Sequence, residues 1–161
     1  MQHNQTDTQA IEALIYQEIA LLDEQDYDNW QSLLTADFTY WIPLRREQQS
    51  PLLESSLLYE DHFLTRLRVA RLANARNFSQ QPKSRSQHIA QKPQIECDSG
   101  AGHACVTTSM LYCEARGDSE WQFPVKAIHQ LKRVEDNWKI SAKKILLLNP
   151  SRALESLQLI I

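Results

Sequence analysis

The sequence predicts an α+β fold in which N-terminal helices pack on one face of a curved, mainly antiparallel sheet. Three observations carry this. In the first half, Ile11, Leu14, Ile15, Ile19 and Leu22 recur at intervals of three and four, the period of one helix face. In the second half the period changes to two: Trp121, Phe123, Val125, Ala127, His129 and Leu131 fall on one side of a strand, with mostly polar residues on the other. Turn markers then cut that half into strand-length pieces: Gly100 and Gly102, Gly117-Asp118, and Glu135-Asp-Asn137.

The elements follow in order. A helix is expected over 8–22, with Thr6 and Gln9 as a capping box and Thr8 as the rival cap. Residues 1–7 are read as a polar tail. After the polar break Asp23-Glu-Gln-Asp26, a short helix over 27–34 turns Trp30, Leu33 and Leu34 inward. Aromatic and β-branched residues make 38–42 a strand, which Pro43 stops. Residues 45–56, polar and holding Pro51, read as a loop. A third helix is expected over 60–73, with Phe63, Leu64, Leu67 and Ala70 on one face and Arg71 beside it. Strands are expected over 86–97, 104–114, 121–134 and 138–148. In the last, Trp138, Ile140, Ala142, Lys144, Leu146 and Leu148 alternate less cleanly. Pro93 hints at an edge or a bulge. The tail over 150–161 ends in Leu157, Leu159, Ile160 and Ile161, apolar enough to dock on this chain or on a neighbour.

Composition narrows the function. A chain of 161 residues fits one domain, and 42% hydrophobic with 23% charged residues is ordinary for a globular protein. A net charge of −3 without a basic block argues against nucleic acid. The arginines at 66, 68, 71 and 76 are interleaved with leucine and alanine and read as a solvated or interface face. No apolar run approaches the ~20 residues that span a bilayer, and the first seven residues are too polar for a signal peptide, so no membrane partner and a cytoplasmic location are expected. Cys97, Cys105 and Cys113 read as reduced thiols inside strands. Three glycines leave no phosphate-binding loop, and there is no G-x-S-x-G nucleophile motif.

Several short motifs stand in order along the chain: Glu18 to Asp23 with Trp30, as E-x-x-x-L-D … W; Asp37 to Pro43, as D-x-x-Y-x-x-P; Tyr59-Glu-Asp-His62 with Leu64, Arg66 and Arg71; Ser84-Arg85 with His88, as S-R-x-x-H; and Leu131-Lys-Arg133, Trp138-Lys-Ile140 and Lys143 to Leu148 at the end. This order resembles the small (β) subunits of Rieske-type aromatic-ring-hydroxylating dioxygenases, over about residues 8–161. Departures are Asn149 where that family often has Asp, Gln91-Lys-Pro93 after the histidine, and His129 where an acidic residue is common. The resemblance implies a cone-shaped NTF2-like (cystatin-like) domain. It implies a large (α) subunit as partner, in an α3β3 assembly with homotrimer contacts between small subunits. It also implies that the Rieske [2Fe-2S] cluster and the mononuclear non-haem iron sit on that large subunit. The activity implied for the assembly is cis-dihydroxylation of an aromatic ring with O2 and NAD(P)H.

The chain's own residues give little for iron. A Rieske centre needs paired cysteines and histidines on two loops, and His103-Ala-Cys105 has neither the order nor a second pair. Asp61 and His62, adjacent on a helix, point about 100° apart and cannot chelate together. Acid–base chemistry is the rival: a stand-alone dehydratase or isomerase of the same fold, using His88 with Asp37 or Asp61, and with Tyr40 and His129 as further proton carriers. The alternative reading of these residues is a buried polar cluster that satisfies itself and fixes helix to sheet. Arg66, Arg68, Arg71, the exposed-looking Trp41 and the apolar tail are expected interface anchors, in an interface burying more than about 2,000 Å².

Overall fold

A computed structural model describes residues 2–74, 76, 81–153 and 157–161. Helix α1 (Gln2–Asp23) is followed by α2 (Tyr27–Gln31) and strand β1 (Leu34–Pro43). Then come β2 (Ser56–Asp61), α3 (His62–Ala73), β3 (Arg85–Ala90) and β4 (Gln94–Asp98). Strands β5 (His103–Arg116), β6 (Ser119–Val134) and β7 (Asn137–Leu147) and the short α4 (Pro150–Ala153) complete the chain. The sheet runs β2-β1-β7-β6-β5-β3, with β4 also paired to β5. Among the described residues, β1 and β7 run parallel and the other pairs are antiparallel. Helix α1 packs across β3, β4 and β7, and α3 packs on β1 and β2. Among the described residues, no helix is long and apolar enough to cross a membrane.

The expected α+β class holds, and β6 alternates as predicted: Phe123, Val125, Ala127, His129 and Leu131 are all buried. The turns hold as well. Arg116 pairs with Ser119 around Gly117, whose φ of +58° suits a two-residue turn, and Val134 pairs with Asn137.

Several expectations are corrected, each by a tertiary contact. Residues 2–7 are helix, not tail, because Asp7 is tied to the sheet: it pairs with Arg133 and accepts from Trp138 Nε1 at 3.2 Å. Helix α2 stops at Gln31, since Leu34 already pairs with Ile140. Residues 56–61, split between loop and helix in the sequence reading, form β2, because Tyr59 and Leu58 pair with Trp41 and Ile42. The strand expected over 86–97 breaks at 91–93, around Pro93, into β3 and β4, and both pieces stay on β5.

Helix α3 buries Thr65, Val69 and Leu72 and leaves Phe63, Leu64 and Leu67 exposed, so the apolar face read from the sequence points away from the sheet. Trp41 is buried, not exposed: its Nε1 donates to Ser56 Oγ at 2.8 Å, and Lys144 Nζ lies 4.3 Å from its ring.

The irregular alternation of β7 has a local cause. Gln130 faces Ala142 but Leu131 faces Ile140, which leaves Ser141 as an extra residue, its hydroxyl bonded to Gln130 O at 3.0 Å. A bulge of one residue inverts the parity beyond it. Before it Trp138 and Ile140 point inward; after it Lys143, Ile145 and Leu147 do. Leu159, Ile160 and Ile161 of the tail are buried as part of the core, with Ile161 N donating to the Tyr40 hydroxyl of β1.

Candidate functional site

The bulge at Ser141 delivers a lysine into the core. Lys143 Nζ lies 3.0 Å from Glu18 Oε1, both side chains 1% exposed. The same carboxylate accepts from Trp30 Nε1 at 3.2 Å and stands 2.6 Å from His129 Nε2. Burial alone would push the Glu18 carboxyl upward; the Lys143 and His129 charges outweigh it and hold the carboxyl well below the ordinary carboxylate range. One carboxylate thus joins α1, α2, β6 and β7.

A second cluster sits at the C-terminal end of α1. Asp23 Oδ1 stands 2.6 Å from His88 Nδ1 and accepts from Ser86 Oγ at 3.1 Å, while Oδ2 accepts from the His88 backbone N–H at 2.9 Å. Burial opposes ionisation of Asp23, but the His88 side-chain and backbone bonds prevail and lower its pKa. Across the strand pair the His88 ring lies 4.9 Å from that of Tyr112, whose hydroxyl donates to Glu114 Oε2 at 2.8 Å. Tyr112 is pushed well above its ordinary value by burial and by the Glu114 charge beside it, and Tyr27 is raised to about 12 by the same two causes. The His88 side chain is 0% exposed, and among the described residues its Nε2 has no partner; the same is true of His129 Nδ1.

The structure separates the residues grouped as a possible acid–base site. His88 pairs with Asp23, not with Asp37 or Asp61. Asp37 is a surface residue that accepts from Thr35 Oγ1 at 2.6 Å and pairs with Lys132 at 2.5 Å. Asp61 caps α3, accepting from Leu64 N at 2.9 Å. Tyr40 is buried, and its hydroxyl accepts from Ile161 N at 3.2 Å. His129 belongs to the Glu18 cluster. The residues that the sequence reading left out as chemical partners are Asp23, Glu18 and Lys143. All three were visible only as motif positions; the histidines that Asp23 and Glu18 meet lie 65 and 111 residues away in the chain.

Cys97, Cys105 and Cys113 are unbridged. Cys97 pairs with Ala104 and Cys105 with Glu96, so these two thiols lie on opposite faces of the sheet. Among the described residues, no group of three His, Cys, Asp or Glu side chains could hold a metal ion.

The family model described as "Ring hydroxylating beta subunit" matches residues 17–151. The chain belongs to this family. This β subunit is 25% identical over 139 residues to the small oxygenase component of the p-cumate 2,3-dioxygenase system of Pseudomonas putida, covering 85% of this chain and 77% of that one. Its fold is that of the β subunit of the benzoate 1,2-dioxygenase from Burkholderia mallei, with a TM-score of 0.73 at 22% identity over 93% of this chain and 95% of the other. An NTF2-like protein with a cystatin-like fold from Novosphingobium aromaticivorans superposes with a TM-score of 0.67 at 12% identity, over 96% and 92% of the two chains. These relations support a dioxygenase small subunit over a stand-alone dehydratase or isomerase. Among the described residues, the β subunit's cysteines and histidines do not fit a Rieske cluster. The thiols are split by the sheet, and His88 is committed to Asp23. Its motif residues Glu18, Trp30, His88 and Lys143, all buried, and the half-buried Asp23 instead join α1 and α2 to the sheet.

Proposed function

We propose that this chain is the non-catalytic, structural small subunit of a multicomponent dioxygenase. A large subunit carries the Rieske [2Fe-2S] cluster and the mononuclear iron, and the assembly adds both atoms of O2 to an aromatic ring with electrons from NAD(P)H. The proposed arrangement is α3β3, in the cytoplasm. One observation carries the non-catalytic role: both inward imidazoles are closed off, with side-chain exposures of 0% for His88 and 1% for His129. A general acid or base must reach its substrate within hydrogen-bond distance. Partner surface is available elsewhere. Phe63, Leu64 and Leu67 are exposed on α3 alongside the exposed Arg66, and Leu52 and Leu53 stand at 80% and 85% exposure. Apolar patches of this kind mark interaction sites.

The test is co-expression with and without a large subunit bearing a C-x-H … C-x-x-H motif, followed by mass and iron analysis. The proposal requires a large iron-containing complex only when the partner is present. An iron-free homo-oligomer that ignores the partner would refute it.

A further inference from the structure

A cavity of 130 Å³ lies where the C-terminal tail meets the sheet and α3. Its apolar wall is Leu57 and Leu58 of β2 together with Leu157 and Leu159 of the tail. Ile42 of β1 and two residues with polar ends, Tyr40 of β1 and Arg68 of α3, complete the lining. The volume is close to the roughly 150 Å³ of apolar cavity that accommodates a benzene ring.

Among the described residues, the Tyr40 and Arg68 side chains both keep a donor that no hydrogen bond uses. Arg68 gives Nε and Nη2 to Glu60, at 2.5 to 3.1 Å, in a pair whose side chains are 18% and 12% exposed. A guanidinium has five N–H donors, so the two on Nη1 remain outside that fork. The Tyr40 hydroxyl accepts from Ile161 N, which leaves its own proton to donate. Burial keeps that hydroxyl protonated, far above its ordinary value. Two residues able to donate, set in an otherwise apolar lining, suit a ligand oxygen. Glu60 already neutralises Arg68, so a second carboxylate would meet like charge; a neutral oxygen would not.

We propose that this cavity is a binding site for a single-ring aromatic molecule bearing one neutral oxygen, with the ring against Leu58 and Leu159 and the oxygen on Arg68 and Tyr40. The tail forms one side of the site, so an occupied site holds the tail seated. The site belongs to this chain alone and does not depend on a large subunit.

Phenol and toluene are the probes, titrated into the full-length chain and followed by heteronuclear NMR. Saturable shifts confined to Tyr40, Leu57, Leu58 and the tail are expected with phenol, with at least tenfold weaker binding of toluene. Leu58→Phe fills the cavity and abolishes the response in a folded protein; Leu57→Phe does the same from the neighbouring position should the first variant fail to fold. No saturable response, equal binding of toluene, or an unchanged response in a folded filled variant would each overturn the proposal.

Discussion

Replacing Lys143 by methionine strands a carboxylate in the core. Glu18 and Lys143 are each 1% exposed and meet at 3.0 Å, so no water replaces the lost ammonium. Breaking a buried pair by removing one partner costs about 3–5 kcal/mol, and His129 Nε2, still 2.6 Å from Glu18, offsets part of the remaining charge, so the lower part of that range is expected. In a domain of this size each kcal/mol lowers Tm by about 2–4 °C, which gives a fall toward the lower end of about 6–20 °C. The assay is thermal unfolding by circular dichroism at pH 7 and fixed protein concentration. The double variant Glu18→Gln, Lys143→Met removes both charges, while the amide can still accept from Trp30 Nε1 and donate to His129. It is expected to melt above Lys143→Met alone. A drop of under about 2 °C in the single variant, or a double variant that melts lower still, would refute the reasoning that charge compensation holds this cluster.

Two further predictions follow from the same geometry. The fold lowers Glu18 and Asp23 below their ordinary values of 4.5 and 3.8, so on acidification the unfolded chain takes up these protons first. Their contribution to stability is therefore complete above about pH 5.5 and is lost progressively below it; Tm measured from pH 7 to pH 3 should fall, and fall less steeply in the Glu18→Gln, Lys143→Met variant. Deleting Ser141 removes the extra residue and makes Ile140 and Ala142 consecutive opposite Leu131 and Gln130, so Trp138, Ile140, Lys143, Ile145 and Leu147 all stay on the inward face. The variant should keep the far-ultraviolet spectrum of the folded state and a cooperative melt, and loss of the folded state would contradict the assigned register.

Much of the architecture was legible because local periods agree with the global arrangement. The three-and-four repeat of Ile11 to Leu22 and the alternation of Trp121 to Leu131 needed no tertiary information. The failures share a cause in contacts between distant segments. Strand β2 exists because Tyr59 lies opposite Trp41, and nothing local distinguishes Leu58-Tyr59 from the first turn of a helix. The parity of β7 flips at Ser141, whose hydroxyl answers to a carbonyl on the neighbouring strand. The face of α3 was misread because its most apolar stripe, at Phe63, Leu64 and Leu67, is not the one it buries. For the site, His88 and His129 were recognisable as inward residues. Their carboxylates were not, since Asp23 and Glu18 come from α1, and chemistry alone offered Asp37 and Asp61 equally.

His88 is proposed to fix helix α1 to the sheet through Asp23 and to take no part in turnover. The direct test is His88→Gln in the co-expressed complex, with steady-state turnover expressed per assembled iron. A lower Tm is expected, with turnover per iron within about twofold of the parent, since positioned acid–base groups contribute about 10²–10⁴-fold. A loss of about 100-fold or more, in a complex with full mass and full iron content, would contradict it.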